Sequence, residues 1–292
     1  MRKAKWLSAR NSEVAGLFLE ANPYHNGLSF NSDEAFQYAV RGRYAISNQD
    51  KMGTPYKCRC QVGANMCVDA YTEHYVSGCP LYGSRQYIHD QVKYALFECA
   101  KNVAEIETEM EDGEILRDPE DPEDERRDRP DLVMKVPYNN VPGARKCVVE
   151  VTVGNTVDGT QSGKLQCKIG QKVQAGKIAA RKFVMKRNKY KTLASNRTMD
   201  LKVISIETGG FIFEDSLRFI KRLAYIAHKK RPDVEYYDMK RYMLTKISVA
   251  LYSAMGTVIN RRINNVKYHS AATLEDHRHQ TEHILQAMAR GQ

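Results

Sequence analysis

Residues 129–153, RPDLVMKVPYNNVPGARKCVVEVTV, contain two β-branched runs, Leu132–Val136 and Cys147–Val153, on either side of Asn139-Asn140 and Pro142-Gly143. Such runs with turn residues between them predict strand, turn, strand, paired antiparallel. Each strand carries one carboxylate: Asp131 opens the first, and Glu150, 19 residues later, sits near the middle of the second. An ionised glutamate among valines is costly unless it is paired, liganded or at a strand edge. Two carboxylates on neighbouring strands can share one hard cation, since magnesium takes a few carboxylate oxygens and keeps several waters. Such a centre polarises a phosphodiester and activates water.

Downstream, residues 154–170 are rich in Gly, Thr, Ser and Gln and read as a loop. The segment AGKIAARKFVMKRNKYKTLA that follows has helical spacing and a strongly basic composition. Val203–Glu207 predicts a further strand, ended by Thr208-Gly209-Gly210. Helices are expected over Phe213–Ala227 and Met239–Arg262, with Asp233 or Asp238 as cap. Upstream, Ile88, Val92, Ala95, Leu96 and Cys99 recur three and four apart, a helix from Ser84 to about Val103 with Arg85 and His89 one turn apart on its polar face. Val14–Leu19 and a segment capped by Ser32 or Asp33 make the first 50 residues a helical entry region.

The fold class expected is therefore α+β, a small mixed sheet flanked by helices. Residues 1–52 form a helical N-terminal region, 53–83 a knuckle, 84–232 the core and 233–292 a C-terminal helical region. No internal repeat is evident.

The chain of 292 residues carries a net charge of +10. Glu105–Asp128 alone holds 13 acidic and 3 basic residues, a local −10 that leaves +20 on everything else. A surface that basic favours polyanions through counterion release. The acidic stretch has too many charges and prolines to bury anything and reads as a loop. No apolar run of about 18 residues is evident, nor a signal-peptide core in MRKAKWLSARNSE, so neither a membrane span nor secretion is expected. Seven cysteines in such a chain point to metal ligation plus free thiols rather than a disulfide framework.

CRCQVGANMCVDAYTEHYVSGC, residues 58–79, offers five candidate ligands for a metal that takes four. Cys58, Cys60, His74 and Cys79 are the preferred zinc set, with Cys67 as the alternate. A closed tetrahedral site leaves no position for water, so its zinc would be structural and would supply folding energy to a segment without a core. His269, His277, His279 and His283 near the C-terminus read as a solvated tail rather than a metal site.

Taken in order, these parts resemble the PD-(D/E)xK restriction-like endonucleases, and in particular the endonuclease domain of non-long-terminal-repeat retrotransposons. In that family a Cys-Cys-His-Cys knuckle precedes a helix bearing arginine and histidine, an R/K-P-D motif, a D/E strand and a helix ending in a K-x-x-K-Y-like pattern. Here these are Cys58, Cys60, His74 and Cys79; Arg85 and His89; Arg129-Pro130-Asp131; Glu150; and Lys186-Arg187-Asn188-Lys189-Tyr190. WLSARN, EAFQYAVRGRYAI and VISIETGGF are similar to its flanking segments, so the likeness spans roughly residues 6 to 262. It implies catalytic Mg²⁺ held by Asp131 and Glu150, with DNA, or RNA, contacted by Arg85, His89, Arg129, Lys182, Lys189 and Tyr190.

The superfamily's E-x-K lysine falls at Thr152, which cannot place a cation beside the scissile phosphate. The retrotransposon branch moves that lysine to the following helix, making Lys186 the candidate, with Lys182 and Lys189 as rivals. A lysine there would orient water and stabilise charge building on the phosphate. Glu109 is the expected extra acidic residue, with Glu107 and Glu105 competing. No Y-x-D-D aspartate pair is present, so a reverse transcriptase would be a separate or once-fused partner.

The leading expectation is thus a metal-dependent endonuclease that nicks duplex DNA. A catalytically inactive, zinc-stabilised nucleic-acid-binding remnant is the alternative, and a scaffold acting through its C-terminal helices a third. The substrate implied by the resemblance and His228-Lys229-Lys230-Arg231 suggest a nuclear location, with cytoplasmic as the alternative.

Overall fold

The computed structural model describes residues 9–22, 28–44, 46–48, 50, 75–76, 79, 83–111, 129–138, 141–156, 175–196 and 199–290; for 138, 141–144, 192–196 and 266–290 it describes the backbone alone. Five α-helices and four strands are described: α1 (Asp33–Arg43), α2 (Ser84–Glu98), β1 (Thr108–Met110), β2 (Leu132–Tyr138), β3 (Val141–Gly154), α3 (Lys177–Asn196), β4 (Asp200–Glu207), α4 (Glu214–Lys230) and α5 (Tyr236–Arg290). The class is mixed α and β. The strands form one sheet in the order β1-β2-β3-β4, antiparallel except for the parallel pair β3–β4, which α3 connects.

Alternation along the hairpin sorts its side chains onto two faces. Leu132, Met134, Val136, Cys147, Val149 and Val151 enter the main core with α2, α4 and α5. Val133 and Val148 turn to the opposite face, where Tyr190 of α3 covers them. The register pairs Leu132 with Val149. Asp131 and Glu150 are thus the next cross-strand neighbours, on the face that α3 covers.

Helix ends follow their sequence signals in part: α5 begins at Tyr236, so Asp238, one of the two expected caps, lies inside its first turn. Ser32, not Asp33, caps α1, its hydroxyl accepting from the Ala35 N–H at 3.1 Å. Asp33 and Glu34 lie in the first turn and Arg41 and Arg43 in the last, each favourable to the helix dipole. Helix α2 runs on to Val103 as expected, but its last five residues, Cys99–Val103, widen into a π-turn. Val14–Leu19 is helical only as a short 3₁₀ turn over Leu17–Leu19.

The acidic stretch departs from its reading as a loop. Thr108–Met110 is a strand paired with β2, because Ile106 and Thr108 point inward while Glu105, Glu107, Glu109 and Glu111 alternate outward. That period of two was masked by the charge count. Residues 112–128 lie outside the described residues.

On the far side, β4 would present an open edge. Residues 211–216 close it: the Glu207 N–H donates to the Phe211 carbonyl, the Phe213 N–H to Ser205, and the Ser216 hydroxyl donates to the Val203 carbonyl while accepting from the Ser205 N–H.

Helix α5 extends 28 residues beyond Arg262, the end expected from the sequence. Within α5, Tyr236–Asn265 is long and apolar enough to cross a membrane by length and composition, with a mean hydropathy of 1.2 over an 18-residue window. That window is 89% buried inside the protein, the composition of a core helix. Met243, Ile247, Leu251 and Tyr252 fill the helical layer, with Tyr252 stacked on Phe18 at 4.3 Å between ring centroids.

The approach of α5 to α1 is set by Gly256. A Cβ built there would lie 2.0 Å from the Ala35 carbonyl oxygen, which no side chain tolerates. Glycine in a helix interior costs about 1 kcal/mol relative to alanine, so this position trades helix propensity for contact. Gly256→Leu is expected to destabilise the fold by at least about 3 kcal/mol, the upper range for an overpacked core. Chemical denaturation checks it; an unchanged midpoint would show that the two helices do not meet there.

Candidate metal and nucleic-acid site

The site sits where the β2–β3 ladder stops. Pairing begins at Leu132 with Val149, so on the β2 side the backbone groups of Val151 have no strand opposite them and take side-chain partners instead. Asp131 Oδ2 accepts the Val151 N–H at 2.7 Å, and the Val151 carbonyl faces His89 Nε2 at 3.1 Å. The same Nε2 lies 3.2 Å from Asp131 Oδ2, while Nδ1 lies 3.1 Å from Asp90 Oδ1. Every partner of the imidazole is an acceptor, an arrangement that suits the ring carrying both protons. Burial opposes the charged ring, but Asp131 and then Asp90 outweigh it, so its pKa lies above the ordinary imidazole range.

Glu150 is 1% exposed. Lys186, from the middle of α3, reaches across the sheet face and donates to Glu150 Oε2 at 2.8 Å. Glu150 Oε1 is buried, with no hydrogen-bond partner among the described residues. Burial, reinforced by the negative charge of Asp131, pushes the Glu150 carboxyl up to about 7, even though the Lys186 ammonium works in the opposite sense. The ammonium is itself held above its usual value: burial disfavours its charge, and Glu150 more than compensates.

The structure thus brings Asp131, Glu150, Lys186 and His89 into one cluster. Of the three lysines expected to compete, Lys186 is the one that contacts Glu150; Lys189 donates to the Tyr190 hydroxyl at 3.2 Å, and Lys182 lines a cavity one turn away. Tyr190 packs on Val133 and Val148 under the ammonium groups of Lys186 and Lys189, 5.4 and 4.8 Å from its ring centroid. Thr152 lies two residues beyond Glu150 on the same face, 8% exposed. Arg85 lines the cavity with Lys182, and Arg129 is exposed just before Asp131.

Glu109 is exposed and stands opposite Val133. Glu111 instead continues the row, its N–H donating to the Asp131 carbonyl at 3.3 Å. Its carboxylate pairs with Lys93, which also lies 3.3 Å from Asp90 Oδ1. Lys93 is 2% exposed, so an ion pair network of Asp90, Lys93 and Glu111 buttresses His89 from behind. Sequence reasoning missed these three residues; the signal available was a lysine within the apolar stripe of α2. Of the competing glutamates, Glu107 pairs with Lys135 and Glu105 lies 4.0 Å from Arg231.

Among the described residues no three His, Cys, Asp or Glu side chains gather as a metal site. A magnesium ion does not require three, because one or two carboxylates and water suffice. The buried Glu150 Oε1, unpartnered among the described residues and beside a second carboxylate, is the donor chemistry such an ion fits. Of the zinc set, Cys58, Cys60, His74 and the alternate Cys67 lie outside the described residues. Cys79 is buried, its sulfur 3.6 Å from Arg262 Nη2, which also donates to the Ser84 hydroxyl at 3.3 Å.

No protein-family model matches the chain, and no curated protein matches it.

Proposed function

We propose that this chain is a Mg²⁺-dependent DNA endonuclease module of the restriction-like kind carried by non-long-terminal-repeat retrotransposons, nicking duplex DNA by hydrolysis. The observation that carries the reading is the meeting of Asp131, Glu150 and Lys186 on one sheet face. The order α2-β1-β2-β3-α3-β4 around a mixed sheet supports a restriction-endonuclease-like core. Asp131 and Glu150 would hold the ion, which when bound polarises the phosphate and lowers the pKa of water. Lys186 balances the buried glutamate and offers a cation to charge developing on the phosphate oxygens. His89 fixes Asp131 and the Val151 carbonyl in place. Cys79 and its knuckle partners would hold a structural zinc ahead of α2, and the basic surface would grip DNA or RNA. A reverse transcriptase would act as a separate or once-fused partner in the nucleus.

The test is incubation of supercoiled plasmid with the protein and millimolar Mg²⁺. Wild type is expected to release open circles, EDTA to stop it, and Asp131→Ala to lose on the order of 10³-fold in rate, the scale of removing one electrostatic stabiliser. Products indistinguishable between wild type and Asp131→Ala would end the enzyme reading and leave a nucleic-acid-binding remnant.

A further inference from the structure

We propose that the cavity between α2 and α3 is a subsite for a second backbone phosphate, next along the strand from the one that is cut. The proposal rests on the nuclease reading and deepens it. The cavity has a volume of about 340 Å³ and is lined by Arg85 of α2, Arg181 and Lys182 of α3, and the polar residues Asn155 and Thr208; among the described residues no acidic side chain lines it. At the lower end of the sizes typical of small-ligand sites, it has room for an anion rather than a base pair.

Its position follows from the spacing of its residues. Arg85 lies one turn before His89 on α2, and Lys182 one turn before Lys186 on α3. Val153, also in the lining, lies two residues past Val151 on β3. One helical turn and two strand residues each advance by roughly 5–7 Å. The cavity therefore prolongs the carboxylate cleft by about the reach of a single nucleotide step. It also opens at the carboxyl ends of the parallel strands β3 and β4, where α/β sheets commonly take ligands.

The N-terminus of α3 does not hold this anion. Glu207 accepts the Ile178 and Ala179 N–H groups at 3.0 and 3.2 Å, so those donors are already engaged. The side chains carry the positive charge here: Arg85, Arg181 and Lys182 put three cations on one cavity, and a guanidinium, with five N–H donors, can meet a phosphate oxygen while keeping another partner. A strand whose cut phosphate lies at Asp131 and Glu150 would thus be held in register by its neighbour.

The experiment measures affinity of the full chain for a fluorescent 20-base-pair duplex, without divalent metal, across a range of NaCl concentrations. Arg181→Ala/Lys182→Ala is expected to bind on the order of tenfold more weakly, with a salt slope shallower by about 2. A control, Arg187→Ala/Lys202→Ala, alters a separate groove between α3 and α4 and is expected to lose clearly less. Equal loss in both variants, or an unchanged slope in the first, overturns the subsite while plasmid nicking by wild type leaves the nuclease reading standing. Inorganic phosphate is the third arm: if it displaces the duplex from wild type at the same concentration as from the first variant, the cavity is not where the backbone binds. Wild type that neither binds nor nicks ends both.

Discussion

Glu150→Gln is expected to stabilise the metal-free protein above neutral pH and to abolish its response to Mg²⁺. The carboxyl is pushed up to about 7 from an ordinary 4.5, because burial and Asp131 both penalise its charge. A folded-state pKa above the unfolded one means that the folded protein holds the proton more tightly. The associated stability is fully present below pH 4.5 and is lost as pH rises through 7. At pH 8 the metal-free fold therefore bears a charge that costs about 3 kcal/mol, from roughly 1.4 kcal/mol per unit. Glutamine keeps the shape and removes the charge, and half-buried Lys186 can turn toward solvent. The variant should gain up to about 3 kcal/mol at pH 8 and gain little at pH 4.5. Magnesium at 100 times its dissociation constant should stabilise wild type by about 2.7 kcal/mol at pH 8 and leave the variant unmoved. Denaturant titrations at the two pH values with and without Mg²⁺ read both effects. If wild type and variant share one pH slope and one Mg²⁺ response, Glu150 is neither strained nor a ligand.

That the same glutamate is a burden to the fold and the core of the site was partly legible in the sequence. Its place among valines gave the cost, and the hairpin signals gave its neighbour, because two β-branched runs joined by a short connection between Tyr138 and Val141 fix both pairing and face. What could not be read was the end of the ladder. Only when β2 starts at Leu132 does Val151 lack a partner on that side and draw in Asp131 and His89. On a helical wheel His89 belongs to the polar face of α2, yet that face turns toward the end of β2, not toward bulk solvent. Strand β1 was hidden by charge, since four alternating glutamates look like a solvated run until their partners Ile106 and Thr108 are seen to point inward. Lys186 was reached through family resemblance, because spacing within a basic helix does not single out one lysine among several.

Lys186 also yields the sharpest separation of chemistry from DNA contact. Lys186→Met removes the ammonium that opposes burial at Glu150, so the carboxyl should rise further and be mostly protonated at neutral pH. Nicking is expected to fall by about 10²–10³-fold, the effect of losing one preorganised electrostatic group, with duplex affinity nearly unchanged. A backbone-contacting lysine would do the opposite: affinity and salt slope would drop while the rate at saturating DNA held. Thr152 supplies the complement, because it lies two residues past Glu150 on the same face, beneath the helix that Lys186 spans. Installing Thr152→Lys in the Lys186→Met chain places an ammonium within reach of Glu150 from the strand rather than the helix. Overpacking at that 8% exposed position should cost about 1–3 kcal/mol, so thermal melts accompany the assay. At least tenfold recovery of nicking is expected, since what matters is a cation beside the buried carboxylate and not the element that delivers it. A folded double variant that recovers nothing would show that Lys186 acts through some contact other than the one it makes with Glu150.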